Sequence, residues 1–182
     1  MIKRKGFREA NFSSSEIPLW LDSYDDLFSD FDPRKYSQRA LSQDFLEETK
    51  RASRDKTTKT IGLDFLVPKA KRDLKKEFLI KKRLREHFMK HFLGLKREHR
   101  KMFREGTLFL TLGVMFMILA TYFLVTDNKK YLITFLSVFL EPGGWFLFWE
   151  GLYLMIFESR KKHPDLKFYK KMSRVKIDFR DY

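Results

Sequence analysis

The residues with most chemistry to offer stand in apolar surroundings. They are Glu141-Pro142-Gly143-Gly144-Trp145, followed by Trp149 and Glu150. A charged side chain at the centre of a bilayer costs on the order of 2.5–3.5 kcal/mol on insertion scales. A carboxylate there therefore signals one of two things: an ion or proton pathway, or a hydrogen-bonded carboxyl at a helix contact. Pro142 removes a backbone donor, and the glycines after it add freedom and permit close approach. The pattern predicts a helix break that faces another helix or subunit, because irregular backbone at that depth needs protein or a water-filled cavity around it. Nine residues at ~100° each put Glu141 and Glu150 on opposite helix faces. Trp145, Trp149 and Tyr153 suit a membrane–water interface.

Other clusters offer less. His87 and His91 have the i, i+4 spacing of a zinc pair, but no acidic catalytic partner accompanies them, so they are read as part of a solvated basic face. The run Asp22, Asp25, Asp26, Asp30 and Asp32 lacks the glycine and terminal glutamate of a calcium loop. It is expected to pair with the basic stem, in this chain or a neighbouring one. His163-Pro164-Asp165 reads as a turn. The chain has no Cys, hence no disulfide framework and no thiolate metal site. Neither a Gly-rich phosphate loop nor a Gly-x-Ser-x-Gly elbow occurs. No metal, no cofactor and no enzymatic activity are expected.

Two apolar stretches must position the Glu141 cluster. Residues 107–125 carry no charge and would span roughly 28 Å as a helix, close to the thickness of a bilayer core. Residues 131–157 would span about 40 Å, so tilt or a kink must absorb the excess. The short link at 126–130, with Asp127-Asn128 as turn formers, makes the two helices antiparallel neighbours. Basic residues crowd one end of this hairpin: Lys96, Arg97, Arg100, Lys101 and Arg104 before it, Arg160, Lys161 and Lys162 after it. The link holds only Lys129 and Lys130. The asymmetry predicts an integral protein of the plasma (inner) membrane with both termini cytoplasmic. The same bases suit anionic lipid headgroups. The net charge is +14, but no nucleic-acid motif accompanies it, so nucleic acid is not an expected partner.

The remaining segments divide by composition. Residues 1–15 read as a flexible basic arm, 16–67 as an acidic α+β segment and 68–106 as a basic amphipathic stem. The hairpin follows at 107–157, and 158–182 form a basic tail. Alternating apolar residues predict strands at 17–21, 60–67 and 174–180, with Pro18 placing the first at an edge. Residues 41–53 predict a helix with Ser42 at its N-cap and Leu46 on its apolar face. In the stem, Pro68 opens the helical pattern, Gly94 is a point of interruption, and Leu74, Phe78, Phe88, Phe92 and Leu95 mark the apolar face.

The fold class expected is a mainly α membrane protein. It has a two-helix transmembrane hairpin, a long basic cytoplasmic helix and a small cytoplasmic α+β element built from both termini. Two helices bury little and their polar break needs shelter, so a homo-oligomer is expected. The functional expectation is an oligomeric scaffolding component whose cytoplasmic module binds itself, anionic lipid or a protein partner. The alternative is a homo-oligomeric ion or proton channel using Glu141.

Overall fold

Three segments that alternate apolar and polar residues become strands of one sheet in the computed structural model, which describes residues 15–56, 61–126 and 131–182. The strands are β1 (Glu16–Trp20), β2 (Gly62–Val67) and β3 (Lys176–Asp181). They lie in the order β1-β2-β3, and both pairings are parallel. The register stacks Ile17, Leu63 and Ile177, then Leu19, Phe65 and Phe179, on one face. Pro18 sits on an edge strand, where its missing N–H costs no ladder bond. Parallel neighbours require long crossovers. Helix α1 (Gln43–Arg54) lies in the first, and α2 (Leu74–Val125), α3 (Tyr131–Tyr153) and α4 (Ser159–Met172) lie in the second.

The chain forms two compact units. One combines the chain up to Leu93 with Lys167–Tyr182, and the other is Gly94–Leu166. In the first, Phe45 of α1, Ile80, Leu84 and Phe88 of α2, and Phe168 and Met172 of α4 join the sheet's apolar face in one core. Ser42 stands at the N-cap of α1 with extended backbone, but its side chain makes no capping bond.

The stem differs from expectation at three points. Its helix starts at Leu74 rather than Pro68, because Asp73 is the cap: its carboxylate accepts from the Lys75 and Lys76 amides at 2.9 and 3.2 Å. Its inward face is Glu77, Ile80, Leu84 and Phe88, while Leu74 and Phe78 are exposed. The buried stripe is rotated because the Glu77 carboxylate is satisfied inside. It accepts from the Tyr24 hydroxyl at 2.9 Å and from Arg72 at 2.9 and 3.0 Å. Finally, α2 runs through Gly94 without interruption.

In the second unit, α2 and α3 each belong to a helix long and apolar enough to cross a membrane. The expected break at Pro142 does not occur, and α3 is continuous through it. Gly144, expected to loosen the backbone, is instead buried, and a methyl on it would stand 3.0 Å from the Gly113 carbonyl oxygen. The irregular turn lies further on, a π-helical segment at Leu154–Glu158. Pro164, expected in a turn, stands inside α4. The expected arm and the expected turn at Asp127-Asn128 lie outside the described residues.

Candidate functional site

The hairpin is built on six small residues repeating every seven positions. Gly106, Gly113 and Ala120 of α2 are buried, as are Ser137, Gly144 and Gly151 of α3. Seven residues are almost two helical turns, so each set forms one stripe. A methyl group on Gly113 would stand 2.6 Å from the Phe148 amide nitrogen and 2.7 Å from the Gly144 carbonyl oxygen. One on Gly151 would stand 2.7 Å from the Gly106 carbonyl oxygen and the same from the Leu110 nitrogen. The two backbones touch, which only glycine permits at these crossings. Small residues at helix contacts give this kind of close packing in hydrocarbon.

Against this frame the Glu141 cluster divides. Gly144 lies in the helix contact, whereas Gly143 has open room, with Phe116 3.9 Å from where its methyl would be. Glu141 and Pro142 are exposed on α3. The Glu141 carboxylate makes no hydrogen bond or ion pair with any described residue, and neither does that of Glu150. Glu150 is half-buried in a shallow groove of about 320 Å³ with Trp149, Tyr153 and Phe157. Trp145, Trp149 and Tyr153 all keep much of their surface exposed. The Tyr153 hydroxyl donates to Glu158 at 3.2 Å.

The basic residues gather at one end of the hairpin. Lys96, Arg97, Arg100, Lys101 and Arg104 are exposed on α2, and Arg160 and Lys161 on α4. Three lysines are ion-paired: Lys162 with Glu98 at 3.0 Å, Lys161 with Glu158 at 2.6 Å and Lys101 with Glu105 at 3.7 Å.

In the sheet unit, buried polar groups serve the fold. Burial pushes the Asp64 carboxyl up, against the opposing pull of Arg180 at 3.0 Å. His87 and His91 stand 4.3 Å apart, and His91 stacks on Tyr169 of α4 at 5.1 Å. Burial, reinforced by His91, Arg83 and Lys90, pushes His87 down to about 4. His87 is thus partly drawn into the aromatic packing, whereas His91 keeps an exposed edge, as a solvated face requires. Among the described residues no group of three metal-ligating side chains occurs.

Reading composition alone missed the small-residue stripes, although the signal was present in the seven-residue spacing of Gly106, Gly113 and Ala120. Tyr24, Arg72 and Glu77 were missed too. No family model, curated protein or solved structure matches the chain.

Proposed function

We propose that this chain is an integral membrane protein of the plasma (inner) membrane. It crosses as a hairpin of α2 and α3, and the flanking segments on both sides are cytoplasmic. It acts as an oligomeric scaffolding component, and its sheet unit is the cytoplasmic interaction module. The reading is non-enzymatic. Anionic lipid headgroups are the natural company of the exposed bases at the hairpin's end.

The observation that carries the reading is the exposure of Glu141. It lies in the middle of an apolar helix, outside the contact with α2, and without a partner among the described residues. A carboxylate in that position calls for cover from another chain, because lipid offers it no hydrogen bond. The helix contact itself is closed by glycine backbone, which leaves no room for a conduit between α2 and α3 of one copy.

Mass measurement of the detergent-solubilised protein tests this. A defined oligomer is expected, in which Glu141→Cys copies cross-link to one another, and a monomer contradicts it. The same unpaired carboxylate favours a second reading, a homo-oligomeric ion or proton channel. Glu141→Gln separates the two. A scaffold keeps its assembly and shows no conductance in either form, whereas a channel conducts and its conductance changes with the substitution.

A further inference from the structure

Phe31 is 97% exposed, more than any other large apolar side chain among the described residues. It stands on a loop that is closed and braced. An antiparallel bridge joins Phe28 to Leu41 at the base. The Ser29 amide donates to the Ala40 carbonyl at 2.9 Å, and the Ser42 amide to that of Leu27 at 3.0 Å. Inside the loop, Asp32 accepts from the Ala40 amide at 2.7 Å and from the Arg34 guanidinium at 2.7 Å. The Arg34 guanidinium and the Ala40 amide hold the Asp32 carboxyl well below the usual carboxylate range. Arg39 pairs with Asp25 and donates to the Ser29 carbonyl at 3.1 Å. A bare aromatic on a braced loop loses little freedom on docking, the property of an interface anchor.

The same unit carries a matching hollow. A shallow groove of about 580 Å³ runs between α2 and the start of β3, floored by Met89, Leu93 and Val175. Arg85, Lys90 and Glu86 stand at its rim. The charges left over on the two features are complementary. At the loop tip Asp32 is taken by Arg34, and Asp30 makes no hydrogen bond or ion pair with a described residue. At the groove Glu86 is taken by Lys82 at 4.0 Å, while Arg85 and Lys90 make none with a described residue.

We propose that Phe31 of one copy docks in the Met89–Leu93–Val175 groove of the next, with Asp30 facing Arg85 and Lys90. The contact is head-to-tail, because knob and hollow are different surfaces. Such a contact closes into a ring when the rotation permits. The inference rests on the homo-oligomeric reading above and names the surface that assembles it.

The chain has no cysteine of its own, so engineered pairs can be read without background. In the full-length membrane-embedded protein, Phe31→Cys with Met89→Cys in one chain should oxidise to a ladder extending beyond dimer. A mixture of the two single variants should stop at dimer. Asp30→Lys should reduce cross-linking several-fold, and Arg85→Asp in the neighbouring copy should restore it. Phe31→Ala should leave thermal melting unchanged while weakening assembly, since that side chain supports nothing in its own copy. Cross-linking by Phe31→Cys alone would overturn the proposal in favour of a two-fold contact. Loss of the 31–89 ladder while Glu141→Cys copies still cross-link would also overturn it, yet leave the oligomer standing. Loss of both would remove the oligomeric reading itself.

Discussion

The two units solve the packing problem in opposite ways. The sheet unit closes around bulk: Phe65, Phe88, Leu63, Leu84 and Ile80 are all fully buried in it. The hairpin closes around absence: its innermost residues are glycine, alanine and serine, while Phe135, Phe139, Phe146 and Trp149 point outward. Water drives the first arrangement, because large apolar side chains leave it. The second makes sense where the surroundings are themselves apolar. Large side chains then gain nothing by turning inward, and backbone approach decides the contact. The same residue type therefore means opposite things in the two halves of the chain.

Exchanging residue types between the units should break this contrast most strongly. Phe65→Ala should destabilise the sheet unit by about 3–5 kcal/mol, read by denaturant unfolding, as expected for a large cavity in a dry core. Phe146→Ala should cost the hairpin almost nothing, since Phe146 is 68% exposed. Equal losses at the two positions would contradict the distinction.

A smaller effect reverses the sign. Gly113→Ala or Gly151→Ala forces a methyl into backbone and should cost on the order of 1–3 kcal/mol through overpacking. The measurement is thermal unfolding in detergent. Gly94→Ala meets nothing within 4 Å and should instead stabilise α2 by up to about 1 kcal/mol.

A pH titration sharpens the contrast further. Burial lowers the His87 pKa to about 4 from an ordinary 6.5, so the folded sheet unit binds this proton less readily than the unfolded chain. Its contribution is complete above pH 6.5 and fades as pH falls from there towards 4. The loss should be on the order of 3 kcal/mol. His87→Phe should flatten that part of the stability profile, whereas the hairpin, probed at Trp145 and Trp149, should show no matching transition. Asp64 acts the other way: its raised pKa makes the unit more stable as the carboxyl takes up its proton at low pH.

Much of the sheet was legible in the alternation of Ile61, Leu63 and Phe65 and of Val175, Ile177 and Phe179. Its parallel order was not, because strands so far apart in sequence carry no turn signal that fixes their direction. Apolar residues alone point to the wrong inward face of α2. Leu74 and Phe78 fit that count, but the buried stripe includes an acid, Glu77, satisfied by Tyr24 and Arg72 from distant positions. The hairpin could be read as two apolar stretches. Its contact is written in the seven-residue spacing of Gly106, Gly113 and Ala120, but Pro142-Gly143-Gly144 gives a competing local signal of breakage. Gly144 instead meets Gly113, over thirty positions earlier in the chain.

The proposed function requires α2 and α3 to cross a bilayer as a pair. Single cysteines at Thr126 and Tyr182 in the otherwise cysteine-free chain test this in intact cells. A membrane-impermeant maleimide should label Thr126→Cys at once and Tyr182→Cys only after permeabilisation. Labelling of both positions from the same side, or recovery of the protein in the soluble fraction without detergent, would contradict it.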